Sequence, residues 1–161
     1  VERFRYPLQR VGAYNDKLVL QLNADYLSVL SEQGELVPQA RELLDYLKSR
    51  SYRLHIISNG FKEVQFKKMK SAGIESYFEK IILSDEVGVN KPHPDIFRYA
   101  LNKTGSSKNT SLMIGDNYDA DILGAMRSGL DQVYFNPLQK QISDEFPTYE
   151  VQTLSEICDI L

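Results

Sequence analysis

Cysteine is nearly absent from this chain of 161 residues: Cys158 stands alone, so no disulfide can form within it. A single thiol fits a reducing compartment, and the cytoplasm is the expected location. Long apolar runs are missing too. No stretch approaches the ~18 consecutive apolar residues of a membrane span, so no membrane partner is expected. Basic charge is not in excess, with 19 Lys and Arg against 22 Asp and Glu and a net charge of −3. That balance argues against a hold on nucleic-acid phosphates. The nine glycines and six prolines follow no period, which excludes collagen-like and low-complexity chains. The opening VERFRYPLQR has neither the apolar stretch of a leader peptide nor an initiator Met, so the chain is expected to be part of a longer one. What remains is ordinary globular composition, 42% hydrophobic and 25% charged, in a chain long enough to bury a proper core.

The periodicity divides the chain near residue 34. Residues 17–30 place Leu18, Leu22, Tyr26, Val29 and Leu30 at helical spacing, and SEQGELVP (31–38) reads as a linker. From there strands and helices alternate. Helices are expected over 39–50, 61–72, 94–103, 119–128 and 154–161. Strands are expected over 52–58, 80–84, 111–115, 132–136 and 148–152. Short connections of this kind build right-handed βαβ units on a parallel sheet. The strands are continuous apolar runs, as they must be when helices cover both faces. The expected architecture is therefore a three-layer, Rossmann-like α/β domain over 34–161, with a separate helical element over 1–33. Ligands of such sheets bind at the carboxyl ends of the strands, which here are Ser58, Ser84, Gly115 and Asn136.

Three segments carry chemistry to that edge. Ser58-Asn59-Gly60 offers a hydroxyl and backbone N–H groups for an anion cradle, although Ser58 or Asn59 could instead cap the next helix. Lys91 stands before Pro92, which keeps it out of the helical region and fixes its direction. A lysine there could neutralise a phosphate and a neighbouring carboxylate, or lie exposed on the surface. Asp116, Asp119 and Asp121 follow a buried strand within six residues. Clustered acids repel unless a cation joins them, and oxygen ligands without nearby His or Cys favour Mg²⁺. The same acids could also serve only a helix N-terminus. An EF-hand loop starting at Asp119 fails at its twelfth position, Leu130. Neither a dinucleotide fingerprint, a Walker lysine loop nor a GxSxG elbow occurs. His55 is expected in or near the core, and His93 at a helix start.

Together these segments resemble the haloacid dehalogenase superfamily of phosphohydrolases, over about residues 36–161. IISNG, NKPHPDIF and LMIGDNYDADILGA are most similar to the house-cleaning pyrimidine 5′-nucleotidases. The resemblance implies Ser58, with Asn59 and Gly60, as the phosphate-binding segment. It implies Lys91 as the motif lysine, Asp116 as a Mg²⁺ ligand, and Asp121 as the acid that orients the lysine or a metal-bound water. These residues are expected at one carboxyl edge. The implied activity is hydrolysis of a small phosphate ester, a nucleotide, through an aspartyl-phosphate. Residues 1–33 resemble the later part of the family's helical cap. The family's DxDxT-type segment with the nucleophile is not found upstream of residue 50. Its strand is expected between the strands ending at Ser58 and Gly115, supplied by a missing N-terminal segment or a partner chain. Without it the chain is expected to be inactive. The alternative is a truncated, non-catalytic binding or regulatory relative.

Overall fold

The computed structural model describes residues 2–142 and 145–161. Val1, Ser143 and Asp144, which fall in the expected 1–33 and 34–161 ranges, lie outside the described residues. The chain forms two compact units, Val1–Glu35 with Lys62–Gly73, and Leu36–Phe61 with Ile74–Leu161.

The first unit is helical. It comprises α1 (Glu2–Arg10), α2 (Asp16–Glu32) and α4 (Lys62–Ala72). Asn15 starts α2, its side-chain oxygen accepting from the N–H groups of Lys17 at 2.9 Å and Leu18 at 3.2 Å. Phe4 meets Tyr26 edge to face, with ring centroids 5.9 Å apart, and ties α1 to α2. The Ser71 hydroxyl donates to the Glu32 carbonyl at 3.2 Å, which ties α4 to the end of α2. Val19, Val64 and Met69 are buried between these helices.

In the second unit, helices α3 (Ala40–Ser49), α5 (Ser84–Val87), α6 (Pro94–Thr104), α7 (Gly124–Arg127) and α8 (Ile157–Ile160) alternate with strands β1 (His55–Ser58), β2 (Lys80–Leu83), β3 (Leu112–Gly115), β4 (Asp131–Phe135) and β5 (Tyr149–Val151). All pairings are parallel. β1 runs beside β2 with Ser58 opposite Leu83, β3 beside β4 with Gly115 opposite Tyr134, and β4 beside β5 with Phe135 opposite Val151. Helices cover both faces. Ile96, Phe97 and Ala100 of α6 form one core with Ile82, Ala125 and Leu130, and both Ile57 of β1 and Met113 of β3 pack on it. Leu43 and Leu47 of α3 form the other core with Val133, Val151 and Ile157, and Leu112 and Ile114 of β3 lie against it. The three-layer α/β expectation therefore describes this unit.

The strands nonetheless form two ladders, β1–β2 and β3–β4–β5, with no pairing between β1 and β3 among the described residues. Every residue of these two strands is only half-buried, despite the apolar sequences HIIS and LMIG. Ile82 in β2 and Val133 in β4 are fully buried. Among the described residues, each of β1 and β3 thus keeps one edge with no strand beside it, above a core they share. Among the described residues, no helix is long and apolar enough to cross a membrane.

At the other end of β1, both ring nitrogens of His55 are shut off from solvent with no hydrogen-bond partner. Burial lowers the imidazole pKa from its ordinary 6.5; Glu79 opposes this, while Arg53 and Lys80 add to it. A proton therefore binds the unfolded chain more tightly than the folded one. The contribution of His55 to stability is complete above the ordinary value and is lost as pH falls below it. The urea midpoint of the wild type should fall more than that of His55→Leu between about pH 7.5 and about pH 5.5. Parallel pH profiles of the two proteins would show that the ring carries no such penalty.

Candidate active site

The carboxyl end of β1 leads into Ser58-Asn59-Gly60. The Gly60 N–H donates to the Ser58 hydroxyl oxygen at 3.0 Å, which leaves the hydroxyl proton to be donated elsewhere. Asn59 is exposed and makes two bonds to one residue. Its side-chain oxygen accepts from the Lys91 N–H at 2.8 Å, and its amide nitrogen donates to the Lys91 carbonyl at 3.0 Å.

Lys91 lies in the loop between α5 and α6, joined to Pro92 by a cis peptide bond. Its side chain is only 11% exposed. The ammonium donates to the Ile57 carbonyl at 2.7 Å and to Asp121 at 2.5 Å. Lys91 therefore joins the end of β1 to the segment that follows β3. The expected surface alternative for this lysine is not what the fold makes of it. His93, as expected, caps α6, its ring nitrogen accepting from the Asp95 N–H at 3.3 Å.

After β3 the chain turns through Asp116 and Asn117 into a wide, π-type turn (Tyr118–Leu123), a form frequent at functional sites, that runs on into α7. Asn117 organises this turn. Its side chain accepts from the Ala120 N–H at 2.9 Å, and its carbonyl accepts from the Asp121 N–H at 2.8 Å. Its own N–H donates to Asp121 at 3.2 Å. Both oxygens of Asp121 are thus engaged, one by Lys91 and one by the backbone, and the residue is 6% exposed. The carboxylate lies so close over Gly115 that a Cβ there would stand 2.5 Å from it. Gly124 gives similar clearance on the other side: a Cβ would stand 2.7 Å from the Phe97 ring and 2.9 Å from the Pro92 backbone.

Asp116 and Asp119 remain exposed. Asp116 lies near Tyr134 of β4, whose phenol is pushed above its ordinary pKa by burial first and then by the charges of Glu150 and Asp116. Among the described residues no three His, Cys, Asp or Glu side chains gather as a metal cluster. The exposed carboxylates in the turn after β3 are Asp119 and, directly at the strand end, Asp116. Magnesium is often bound by one or two carboxylates with water and substrate phosphate, so this residue fits the ion as part of its shell. Asp121 has its oxygens committed to Lys91 and Asn117.

The fold therefore brings Lys91 and Asp121 into contact, with Ser58 and Asn59 next to the Ile57 carbonyl the lysine takes. Asp116 directly follows the glycine under Asp121. The other two strand ends serve structure. Ser84 is buried at the start of α5, and Asn136, 2% exposed, donates to the Lys140 carbonyl at 2.9 Å and to Glu150 at 2.6 Å. Sequence reasoning passed over Asn117 and Gly115, whose roles are hydrogen bonding and clearance. An Asn three residues before Ala120 was the available sign of a cap.

Truncating Asp121 would leave a buried ammonium without its counter-charge. Asp121→Ala is expected to destabilise the fold by about 3–5 kcal/mol. Gly115→Ala, which displaces the same carboxylate by crowding, should cost about 1–3 kcal/mol. Urea unfolding measures both; a Gly115→Ala midpoint equal to the wild type would mean that Asp121 does not need the close approach.

Residues 7–135 match the family of haloacid dehalogenase-like hydrolases. The chain is 31% identical over 161 residues to HAD-hydrolase YfnB of Bacillus subtilis, covering 99% of this chain and 67% of that protein. It is 32% identical over 143 residues to pyrimidine 5′-nucleotidase YjjG of Escherichia coli, covering 88% of this chain and 63% of the nucleotidase. Over 99 residues it is 39% identical to glyceraldehyde 3-phosphate phosphatase of Methanothermobacter thermautotrophicus, covering 62% and 44%. The magnesium-bound crystal structure of YfnB superposes with a TM-score of 0.88 at 32% identity, covering 98% of this chain and 68% of that one. The chain thus spans from under half to about two thirds of the length of these relatives. Its matched segment, its identity to YfnB and its parallel α/β fold make it a member of the haloacid dehalogenase-like hydrolase family.

Proposed function

We propose that the protein is a Mg²⁺-dependent phosphomonoesterase acting on nucleoside monophosphates through an aspartyl-phosphate. The observation that carries this reading is the Lys91 ammonium, held between the Ile57 carbonyl and Asp121 where β1 and β3 leave their edges unpaired. An extended segment seated in parallel between those edges would pair both ladders. An aspartate at its carboxyl end would then arrive beside Lys91. That segment would come from residues ahead of this chain or from a partner chain.

In this reading the chain's own residues bind and orient. The Ser58 hydroxyl donates its proton to a phosphoryl oxygen, helped by backbone N–H groups of the following turn. Lys91 offsets charge at phosphorus, where attack brings two anions together. Asp121 keeps the ammonium in place. Asp116 would hold Mg²⁺, which supplies further charge neutralisation at the phosphoryl group. The attacking carboxylate displaces the nucleoside alkoxide, and water then hydrolyses the acyl phosphate. Residues 1–33 are cap material in this reading. The expected setting is the cytoplasm, where Cys158 stays reduced.

Relatives named pyrimidine 5′-nucleotidase and glyceraldehyde 3-phosphate phosphatase support a small phosphate ester as substrate and set the test. The full-length protein is assayed against nucleoside monophosphates and sugar phosphates, with Mg²⁺ or with chelator. Turnover of a pyrimidine nucleotide should be fastest and should vanish with chelator. Asp116→Asn should lower kcat/KM by about 10²-fold or more while leaving the fold intact. Wild-type rate and metal dependence in that variant would remove Asp116 from the metal shell. A preference for triose phosphate would overturn the nucleotide assignment, and no turnover of any ester would favour a non-catalytic relative. The 161-residue chain expressed alone should hydrolyse none of these esters and should unfold at lower urea than the full-length protein, because its β1 and β3 edges stay unpaired.

A further inference from the structure

Asn59 stands in the phosphate cradle by sequence, yet its side chain is spent on another residue's backbone. The two bonds to Lys91, at 2.8 and 3.0 Å, form a closed ring in which the carboxamide pairs with one N–H and one C=O of a single residue. The orientation of the amide is dictated: a main-chain N–H requires the oxygen, a main-chain carbonyl requires the nitrogen. Val89 anchors the loop on the α6 core, and at Lys91 the two bonds to Asn59 are what holds the backbone. Pro92 and Pro94 have no N–H to offer, and the bond within the loop runs from the His93 N–H to the Asn90 carbonyl at 2.9 Å. The loop carries the Lys91 ammonium, which the Ile57 carbonyl and Asp121 hold at its far end, and Asn59 fixes the backbone from which that side chain starts.

We propose that Asn59 is a positioning residue: its side-chain amide clamps the Lys91 backbone, and phosphoryl recognition falls to the Ser58 hydroxyl and the Lys91 ammonium. This inference rests on the proposed phosphatase reading only for its kinetic readout. The chemistry explains the residue type. Aspartate would keep an acceptor for the Lys91 N–H but would set a carboxylate oxygen against the Lys91 carbonyl. Serine is too short to reach both groups, and glutamine adds a methylene and a free torsion. Asn59 is exposed, so its removal leaves the two cores untouched.

A double-mutant cycle between Asn59 and Lys91 in the full-length protein separates clamp from ligand. With a nucleoside monophosphate as substrate, Asn59→Ala should lower kcat about 10²-fold, the scale of a displacement of about 1 Å, and change KM by less than about 3-fold. Lys91→Ala should lower kcat at least as much. The double variant should match Lys91→Ala within about 2-fold, because a clamp has no effect once its cargo is gone. Losses that multiply in the double variant, or a KM that rises with kcat preserved, would overturn the proposal and return Asn59 to the substrate. Asn59→Asp, which keeps the acceptor but sets a charged oxygen against the Lys91 carbonyl, should also lower kcat; a wild-type rate there would overturn the proposal as well. Hydrogen exchange supplies a readout independent of turnover. The Lys91 amide should exchange at least about 10-fold faster in Asn59→Ala while the Ile82 and Val133 amides keep their protection. Unchanged exchange at Lys91 refutes the clamp. Should the protein hydrolyse no ester, the phosphatase reading fails and this exchange measurement still decides the clamp.

Discussion

An ammonium taken out of water must find its partners within the protein, and the second unit is arranged around that demand at Lys91. The Coulomb attraction of Asp121 alone does not repay desolvation; a buried pair holds when further hydrogen bonds complete it. Those bonds come from the Ile57 carbonyl on the lysine side and the Asn117 N–H on the acid side. Each neighbour then follows. Gly115 is bare because the carboxylate lies on it, and Gly124 is bare because Phe97 and Pro92 press against it. Asn59 fixes the backbone from which the lysine extends.

The same pair explains how two separate ladders make one edge. Among the described residues, β1–β2 and β3–β4–β5 are not paired with each other, so their alignment rests on the α6 core beneath and on Lys91 above. The core fixes spacing through Ile57 and Met113. It is apolar and non-directional, and it tolerates sliding better than a hydrogen bond does. The ion pair supplies the directional constraint at the carboxyl ends, where a ligand would be bound.

Much of this was legible in the sequence because it depends on local patterns. The apolar strands around Ile56, Ile82, Ile114 and Val133 and the longer helices between them follow from run length and period, with bounds that differ by a few residues at most, whereas the short α5, which starts at the expected strand residue Ser84, does not. The strand at 52–58 shortens to His55–Ser58: the ladder with β2 starts at His55, and just before it the Leu54 carbonyl accepts from the Glu79 N–H at 2.9 Å. The helix expected over 119–128 opens as a wide turn, since the Asn117 carbonyl takes both the Asp121 and Ile122 N–H groups. Lys91, Ser58 and the acids announced themselves by standing after strands. What the sequence could not display was division of labour among polar groups. Asn59 reads as a cradle residue, and its partner is 32 residues away. Of three acids on one turn, burial and the lysine single out Asp121, and only the folded backbone shows which one turns inward.

One feature of the lysine's environment bears on how such a site drifts over time. Its partner on β1 is a main-chain carbonyl, and a carbonyl is present whatever side chain position 57 carries. Exchange among residues of similar size at 57 leaves that half of the lysine's coordination intact and is judged only by the apolar cluster on which Ile57 packs. Position 121 has no such freedom, because there the partner is the side chain itself. Two contacts to one ammonium thus place different demands on the genetic record. One is invisible to comparison of side chains, and the other fixes a charge.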